Sequence, residues 1–163
     1  MQIDYALANV ATRRLPNDAA ERSDDGLISA LSICDMLDRN PGKSMADLKN
    51  ALPKTWGSPT MSPHCADEIK YGVVDEVVAH FQAAQAAHQK VAGQAIRDLV
   101  TVNGVRVTVE DGTWGLVRAS SNKPELVVVV ESPVSEARMR DMFKAVDAVL
   151  RTHPEVGEYN QTI

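Results

Sequence analysis

Residues 113–130 read TWGLVRASSNKPELVVVV, which is two β-forming runs joined by a short polar loop. Thr113 to Val117 and Leu126 to Val130 are rich in the β-branched and aromatic residues that favour strands. Two such runs so close together predict an antiparallel pair, with residues 118–124 at the rim of the sheet. Loops at a sheet rim are where ligands reach backbone donors.

The loop collects groups that bind anions. Arg118 offers a planar fork of donors, Ser120 and Ser121 offer hydroxyls, Asn122 offers an amide and Lys123 a point charge. The turn before the following proline can leave backbone N–H groups free. These features predict a phosphate site, although Ser, Asn and Pro are ordinary turn residues and composition alone favours a plain hairpin loop.

The neighbouring segments predict the rest of the sheet. Leu99 to Val109 alternates valines around Asn103-Gly104, a strong hairpin signal, and Glu110-Asp111-Gly112 turns the chain into the strand before the loop. We therefore expect four antiparallel strands in meander order.

Two helices flank these strands. One is predicted from Asp67, with an apolar stripe, and continues weakly to Lys90 before Gly93. The other begins near Ser135, after Pro133. Their predicted buried residues are Ile69, Val73, Val74, Val77, Val78 and Phe81 in the first, and Met139, Met142, Phe143, Val146, Val149 and Leu150 in the second. The result is an α+β fold, a two-layer domain with a four-stranded antiparallel sheet and two packing helices, preceded by a short helical segment.

The helical segment lies between residues 24 and 52. Leu27 to Leu37 has helical spacing and stops at Asn40-Pro41-Gly42, and Ser44 to Asp47 resembles a capping box on a second short helix. Asp24-Asp25 suits an N-cap better than a metal pair. Two short helices bury little alone, so either Met1 to Val10 supplies a surface for them to pack on or they find another partner, which is a reason to expect dimerisation.

Other candidate sites are weaker. His64 beside Cys65 invites a nucleophile interpretation, but adjacent residues on an extended chain point to opposite sides. His80 and His88 are eight residues apart on the predicted helix, a poor spacing for a metal, and a solvated face is favoured. The methionines near the C-terminus are expected in the core.

Composition narrows the function classes. The 163 residues are 44% apolar and carry a formal net charge of -5. Such a charge argues against nucleic acid as a partner, so an anion site must be local. No apolar run approaches the ~20 residues that span a bilayer, and no leader pattern is visible, so we expect no membrane association and a cytoplasmic protein. Cys34 and Cys65 suggest no disulfide framework.

Trp114-Gly115-Leu116-Val117-Arg118-Ala119-Ser120, followed by Pro124, resembles the C-terminal signature of the α-D-phosphohexomutases, the phosphomannomutase/phosphoglucomutase family. In that family the loop reads R-x-S-N-T-E-P or R-x-S-G-T-E-P and grips the phosphate that is not reacting. This chain departs from it at three positions: Ser121 replaces Asn or Gly, Asn122 replaces Thr, and Lys123 replaces an acidic residue.

Three further stretches resemble the family in the family's order: Asp24 to Leu27, Leu52 to Trp56, and Asn103 to Val107. The resemblance implies residues 24–52 as a helical remnant of the third domain, 53–66 as a connector and 67–163 as the C-terminal phosphate-binding domain. Residues 1–23 are an unmatched N-terminal segment. The implied fold is similar to one repeat of the TATA-binding protein, without its DNA function.

The implied activity is intramolecular phosphate transfer on hexose phosphates. The family's catalytic serine, its D-G-D-x-D-R metal loop and its sugar-reading segment have no counterpart here. We therefore expect no catalytic residue, no metal and no cofactor in this chain, with magnesium needed only in the complete enzyme, and no mutase activity from the chain alone. Expected partners are a hexose phosphate and the remaining mutase domains or a second copy. The alternative is a non-catalytic protein-interaction module derived from that domain.

Overall fold

A computed structural model describes residues 26–161 and 163, and it divides the chain into two compact units, Met1–Pro53 and Lys54–Ile163. The unmatched segment 1–23 and the predicted cap at Asp24-Asp25 lie outside the described residues. The domain boundaries assigned from the sequence stay predictions.

The described part of the first unit holds two helices, α1 (Gly26–Asp38) and α2 (Met45–Asn50). The predicted stop after α1 is confirmed, and Gly42 has a positive φ of 80°. The predicted capping box is also confirmed, because the Ser44 hydroxyl accepts from the Asp47 amide at 3.2 Å and the Ser44 amide donates to the Asp47 carboxylate at 2.8 Å.

The described part of the second unit contains two long helices and six strands. In chain order these are β1 (Trp56–Gly57), α3 (Lys70–Ala86), β2 (Lys90–Val91), β3 (Gln94–Val100), β4 (Val105–Val109), β5 (Trp114–Ala119), β6 (Leu126–Ser132) and α4 (Glu136–Leu150). The strands form one antiparallel sheet in the order β1-β6-β5-β4-β3-β2. None of the helices in the described residues is long and apolar enough to cross a membrane.

The antiparallel α+β fold is confirmed, but the predicted four-stranded sheet is wrong. The four-strand meander is present as β3 to β6, and a two-residue strand is added at each edge. Strands this short carry too little alternation to stand out in the sequence.

The strand β2 replaces the predicted weak end of the first long helix. That helix stops at Ala86, and His88 takes a positive φ of 53°. Val91 then enters the core and pairs with Gln94 across a tight turn in which both Ala92 and Gly93 have positive φ. Burial of Val91 and the pairing with β3 override the helix propensity of an Ala/Gln-rich stretch.

The predicted connector pairs with β6 beyond the two residues of β1. After Trp56 pairs with Ser132, Met61 pairs with Val128 and His64 with Glu125. Residues 56–65 are thus extended, as the prolines predict, and they line the edge of β6 as an irregular strand. This contact stabilises the loop that precedes β6.

The core lies between the sheet and the two long helices. Alternate residues of β4, β5 and β6 face it, and the predicted apolar residues of α4 contribute to it as expected. The predicted stripe of α3 is confirmed except at Ile69, which is 40% exposed because the helix begins one residue later. The core sets the register that places Arg118 opposite Val127 at the rim of the sheet.

Candidate functional site

The predicted loop lies at one rim of the sheet, between β5 and β6, beside the turn between β3 and β4. Gly104 of that turn has a φ of +80° and lies against the backbone of Val117 and Arg118. A Cβ built on Gly104 would lie 2.8 Å from both the Cα and the Cβ of Arg118. The β3–β4 turn therefore packs directly against the end of β5 at Arg118.

Three hydrogen bonds close the loop at its base. The Ser120 amide donates to the Glu125 carbonyl at 3.0 Å, and the Glu125 amide donates to the Lys123 carbonyl at 2.8 Å. The Pro124 carbonyl accepts from the Cys65 amide at 3.0 Å. Among the described residues, no acceptor pairs with the amides of residues 121–123. The loop therefore presents three consecutive N–H groups that can donate to an anion.

Arg118 is half-buried, and one of its guanidinium nitrogens, Nη1, donates to the carbonyl of Ala119 at 3.0 Å. A guanidinium has five N–H donors, so this bond uses a small part of its capacity. This hydrogen bond holds the Arg118 side chain along β5, and its other N–H groups remain available to an oxyanion at the rim.

The other four predicted residues differ in exposure: one is buried and bonded within the loop, and three are exposed. Ser120 is 5% exposed, and its hydroxyl donates to the Asn122 side-chain oxygen at 3.2 Å. Ser121, Asn122 and Lys123 are exposed. The strand β5 extends through Ala119, two residues beyond the predicted strand end, so Arg118 lies on β5 and the other four predicted residues follow in the loop. Ser120 has an inner position there that its sequence context did not reveal.

The charge around the loop is mixed but locally positive. Lys123 Nζ lies 4.0 Å from a carboxylate oxygen of Glu125, and the lysine side chain is 66% exposed, so solvent screens this pair. Lys70 contacts the loop from α3, with its Nζ 3.0 Å from the Lys123 carbonyl oxygen and 2.6 Å from Asp67 Oδ1. With Arg118, three cationic and two anionic side chains surround the loop, in a chain whose net charge is -5.

Sequence reasoning missed Lys70. It follows the same helical spacing as Val73, Val74 and Val77, which are buried on α3. A lysine in an apolar stripe is unusual because a buried ammonium needs a partner. That position was the signal in the sequence that could have identified it.

The weaker candidates do not form sites. Cys65 is fully buried and His64 is exposed, as their adjacency on an extended segment predicts. Burial, with a smaller contribution from Glu155, raises the pKa of the Cys65 thiol, the opposite of what a reactive cysteine needs. Within residues 26–161, no three His, Cys, Asp or Glu side chains come together as metal ligands.

The opposite rim of the sheet carries a structural ion pair. Arg138 donates to Asp111 at 2.7 Å and to the Ala92 carbonyl at 2.6 Å, and both charged side chains are largely buried. Partial burial acts to raise the pKa of Asp111, but hydrogen bonds from Thr113 and Arg138, with the arginine's charge, outweigh it and lower the pKa. This pair joins the start of α4 to two turns.

Comparison with known proteins gives a consistent result. Residues 65–149 match the model of the phosphoglucomutase/phosphomannomutase C-terminal domain. Over 135 residues the chain is 33% identical to a phosphomannomutase/phosphoglucomutase of Pseudomonas putida, covering 82% of this chain and 26% of the relative. It is 34% identical over 80 residues to a phosphopentomutase of Thermococcus kodakarensis, covering 49% of this chain and 16% of the relative.

The fold agrees with a solved structure. A phosphoglucomutase/phosphomannomutase family protein from Burkholderia thailandensis superposes with a TM-score of 0.60 at 23% identity, covering 85% of this chain and 26% of that one. The chain therefore spans about a quarter of the length of the Pseudomonas putida relative and of this structure.

Proposed function

Because the chain belongs to the phosphoglucomutase/phosphomannomutase family and matches its C-terminal domain, we propose that it binds the phosphate of a hexose phosphate through the loop of residues 118–124. Arg118, Asn122 and the backbone amides of residues 121–123 contact the phosphate oxygens. Ser121 and Lys123 add a hydroxyl and a positive charge, and Ser120 supports the loop from inside.

The observation that carries this proposal is the run of three amides, for which residues 26–161 and 163 offer no acceptor, beside a half-buried arginine. Consecutive N–H groups form a concave site for an anion, and a guanidinium matches two phosphate oxygens. The bonds at the loop's base fix this arrangement before a ligand arrives, which lowers the entropy lost on binding.

Holding the phosphate is one part of the family's reaction. We propose that this chain acts with the remaining mutase domains, and that the loop anchors the end of the sugar phosphate that does not react. The chain alone is expected to show no mutase activity. The resemblance implies magnesium in the complete enzyme, but the described residues offer no ligand set that fits it, and we assign it no role here.

The sugar need not be recognised by this loop. The relatives named above are described as a phosphomannomutase/phosphoglucomutase and as a phosphopentomutase, and the phosphate is common to the substrates that those names imply. We expect the loop to contact only the phosphate group and therefore to bind mannose 1-phosphate and glucose 1-phosphate with similar affinity.

The test is the affinity for mannose 1-phosphate, measured by isothermal titration calorimetry on wild type and on Arg118→Ala. Loss of charge-assisted hydrogen bonds, each contributing about 1.5–3 kcal/mol, should weaken binding by about 10- to 100-fold. Arg140→Ala is the matched control, because Arg140 is an exposed arginine paired with Glu136 on α4. Equal affinity of Arg118→Ala and wild type would refute the proposal.

A second candidate function is a non-catalytic interaction module. Helix α1 favours it, because that helix buries none of its residues and Leu31 is 61% exposed. This function predicts self-association or partner binding that Arg118→Ala leaves unchanged. Sedimentation velocity at increasing protein concentration, on wild type and on Leu31→Glu, tests it, and a monomer at all concentrations would exclude self-association.

A further inference from the structure

We propose that Lys70 is a positioning residue for phosphate binding, whose ammonium fixes the conformation of the loop of residues 118–124. The inference rests on the proposed function of that loop. Lys70 itself is on α3, 53 residues away from Lys123 in the sequence.

The ammonium of Lys70 is buried and paired. The side chain is 4% exposed, and its Nζ lies 2.6 Å from Asp67 Oδ1 and 3.0 Å from the Lys123 carbonyl oxygen. Asp67 itself is 62% exposed. The Tyr71 ring centroid lies 5.3 Å from the same Nζ. Burying an ammonium is costly unless hydrogen bonds compensate it, and the loop carbonyl is one of the two hydrogen-bond acceptors that do so.

The Lys123 carbonyl accepts two hydrogen bonds, one from Lys70 and one from the Glu125 amide at 2.8 Å. A carbonyl oxygen has two lone pairs, and both are engaged. If this peptide rotated, its negative end could face a bound phosphate and repel it. The bond from Lys70 removes that competing orientation.

A second element holds the next peptide. The Pro124 carbonyl accepts from the Cys65 amide, so α3 and the segment along β6 restrain the base of the loop from two directions. Only the tip, where the amides have no protein acceptors in the described part of the chain, is left for a ligand. A loop restrained at its base binds with little ordering cost.

The expected change in Kd depends on the fraction of molecules whose loop is in the phosphate-binding conformation. Apparent affinity falls in proportion to the fraction of molecules in the binding conformation. Lys70→Met removes the ammonium and keeps an unbranched chain of similar length. If the competent fraction falls to about one tenth, the Kd rises about tenfold while Arg118 is unchanged. Asp67→Asn, which leaves the lysine in place, should raise the Kd by a smaller factor of about 2–3, since it removes the charge of one partner only.

The experiment uses the full 163-residue chain and mannose 1-phosphate as the probe. The Kd is measured by calorimetry for wild type, Lys70→Met, Asp67→Asn and the control Lys144→Met. Lys144 forms the same type of pair, three residues after Asp141 at 3.9 Å, but its side chain is 78% exposed. The 13C chemical shift of the Lys123 carbonyl reports directly on its hydrogen bond to the ammonium.

We expect weaker binding and a changed Lys123 carbonyl shift in Lys70→Met, an intermediate Kd in Asp67→Asn, and wild-type behaviour in Lys144→Met. If Lys70→Met does not fold, the Kd of Asp67→Asn decides. Wild-type affinity in a folded Lys70→Met, or in Asp67→Asn when it decides, would overturn this inference and leave the proposed function standing. A wild-type chain that does not bind the probe would overturn both.

Discussion

Gly104→Ala should destabilise the second unit, because the β3–β4 turn leaves no room for a side chain. The φ of +80° is one that L-residues rarely adopt, and its cost is about 1–2 kcal/mol. The new Cβ would also overlap the Val117 carbonyl oxygen and lie 2.8 Å from Arg118 Cα. These are backbone atoms of a central strand, so relief of the overlap should add about 1–3 kcal/mol.

The expected total loss is about 2–5 kcal/mol in the free energy of unfolding, taken as the sum of these two contributions. Urea unfolding followed by tryptophan fluorescence measures it, because the chain's two tryptophans, Trp56 and Trp114, both belong to the second unit. The same substitution should weaken phosphate binding, since the turn contacts the backbone of Arg118.

Gly72→Ala is the matched control with the opposite expected sign. Gly72 lies in α3, is exposed, has no atom within 4 Å of a built Cβ and has no unusual φ. Alanine should stabilise the helix there by about 0.5–1 kcal/mol. If Gly104→Ala unfolded within 0.5 kcal/mol of wild type, the account of the turn as a tight support for Arg118 would be wrong.

Two further predictions concern the sheet and its opposite rim. Gly115→Ala should lower the free energy of unfolding by about 1–3 kcal/mol, because its Cβ would lie 2.8 Å from Val146 Cγ2. Adding Val146→Ala to that variant should recover part of the loss, and no recovery would contradict this packing. Asp111→Asn should lower the unfolding free energy by about 1–2 kcal/mol at pH 7, because Arg138 loses a charged acceptor. Since the folded pKa of Asp111 is lowered, its stabilisation is complete above the unfolded value of about 3.9 and disappears as the pH falls through the folded value. The difference between wild type and Asp111→Asn, measured by urea unfolding, should therefore shrink as the pH falls below about 4, and a constant difference would refute this assignment.

Strong local patterns predicted much of the fold. The valine alternation around Asn103-Gly104 gave the hairpin, and the spacing of Met139, Met142 and Val146 gave the buried face of α4. Such patterns can be recognised in the sequence because buried positions recur every two residues in a strand and every three or four in a helix.

The features that were missed depend on contacts, some distant in the sequence and some across a turn, that leave no repeating pattern in the residues. The two-residue strands β1 and β2 exist because neighbouring strands pair with them, and Lys70 reaches a carbonyl 53 residues away. No period within a short window encodes such a contact. The strand β2 and the inner position of Ser120 are local instead, because Val91 pairs with Gln94 across a tight turn and Ser120 with Glu125 across the loop, and residue type alone does not fix these turn conformations.

The most direct test of the central claim is a titration of the 15N-labelled chain with mannose 1-phosphate, following the backbone amides of residues 118–123 by NMR. We expect saturable shifts that are largest at the amides of residues 121–123, and their loss in Arg118→Ala. Shifts spread over the surface, or no shift in this loop at millimolar ligand, would contradict the claim that the loop binds the phosphate.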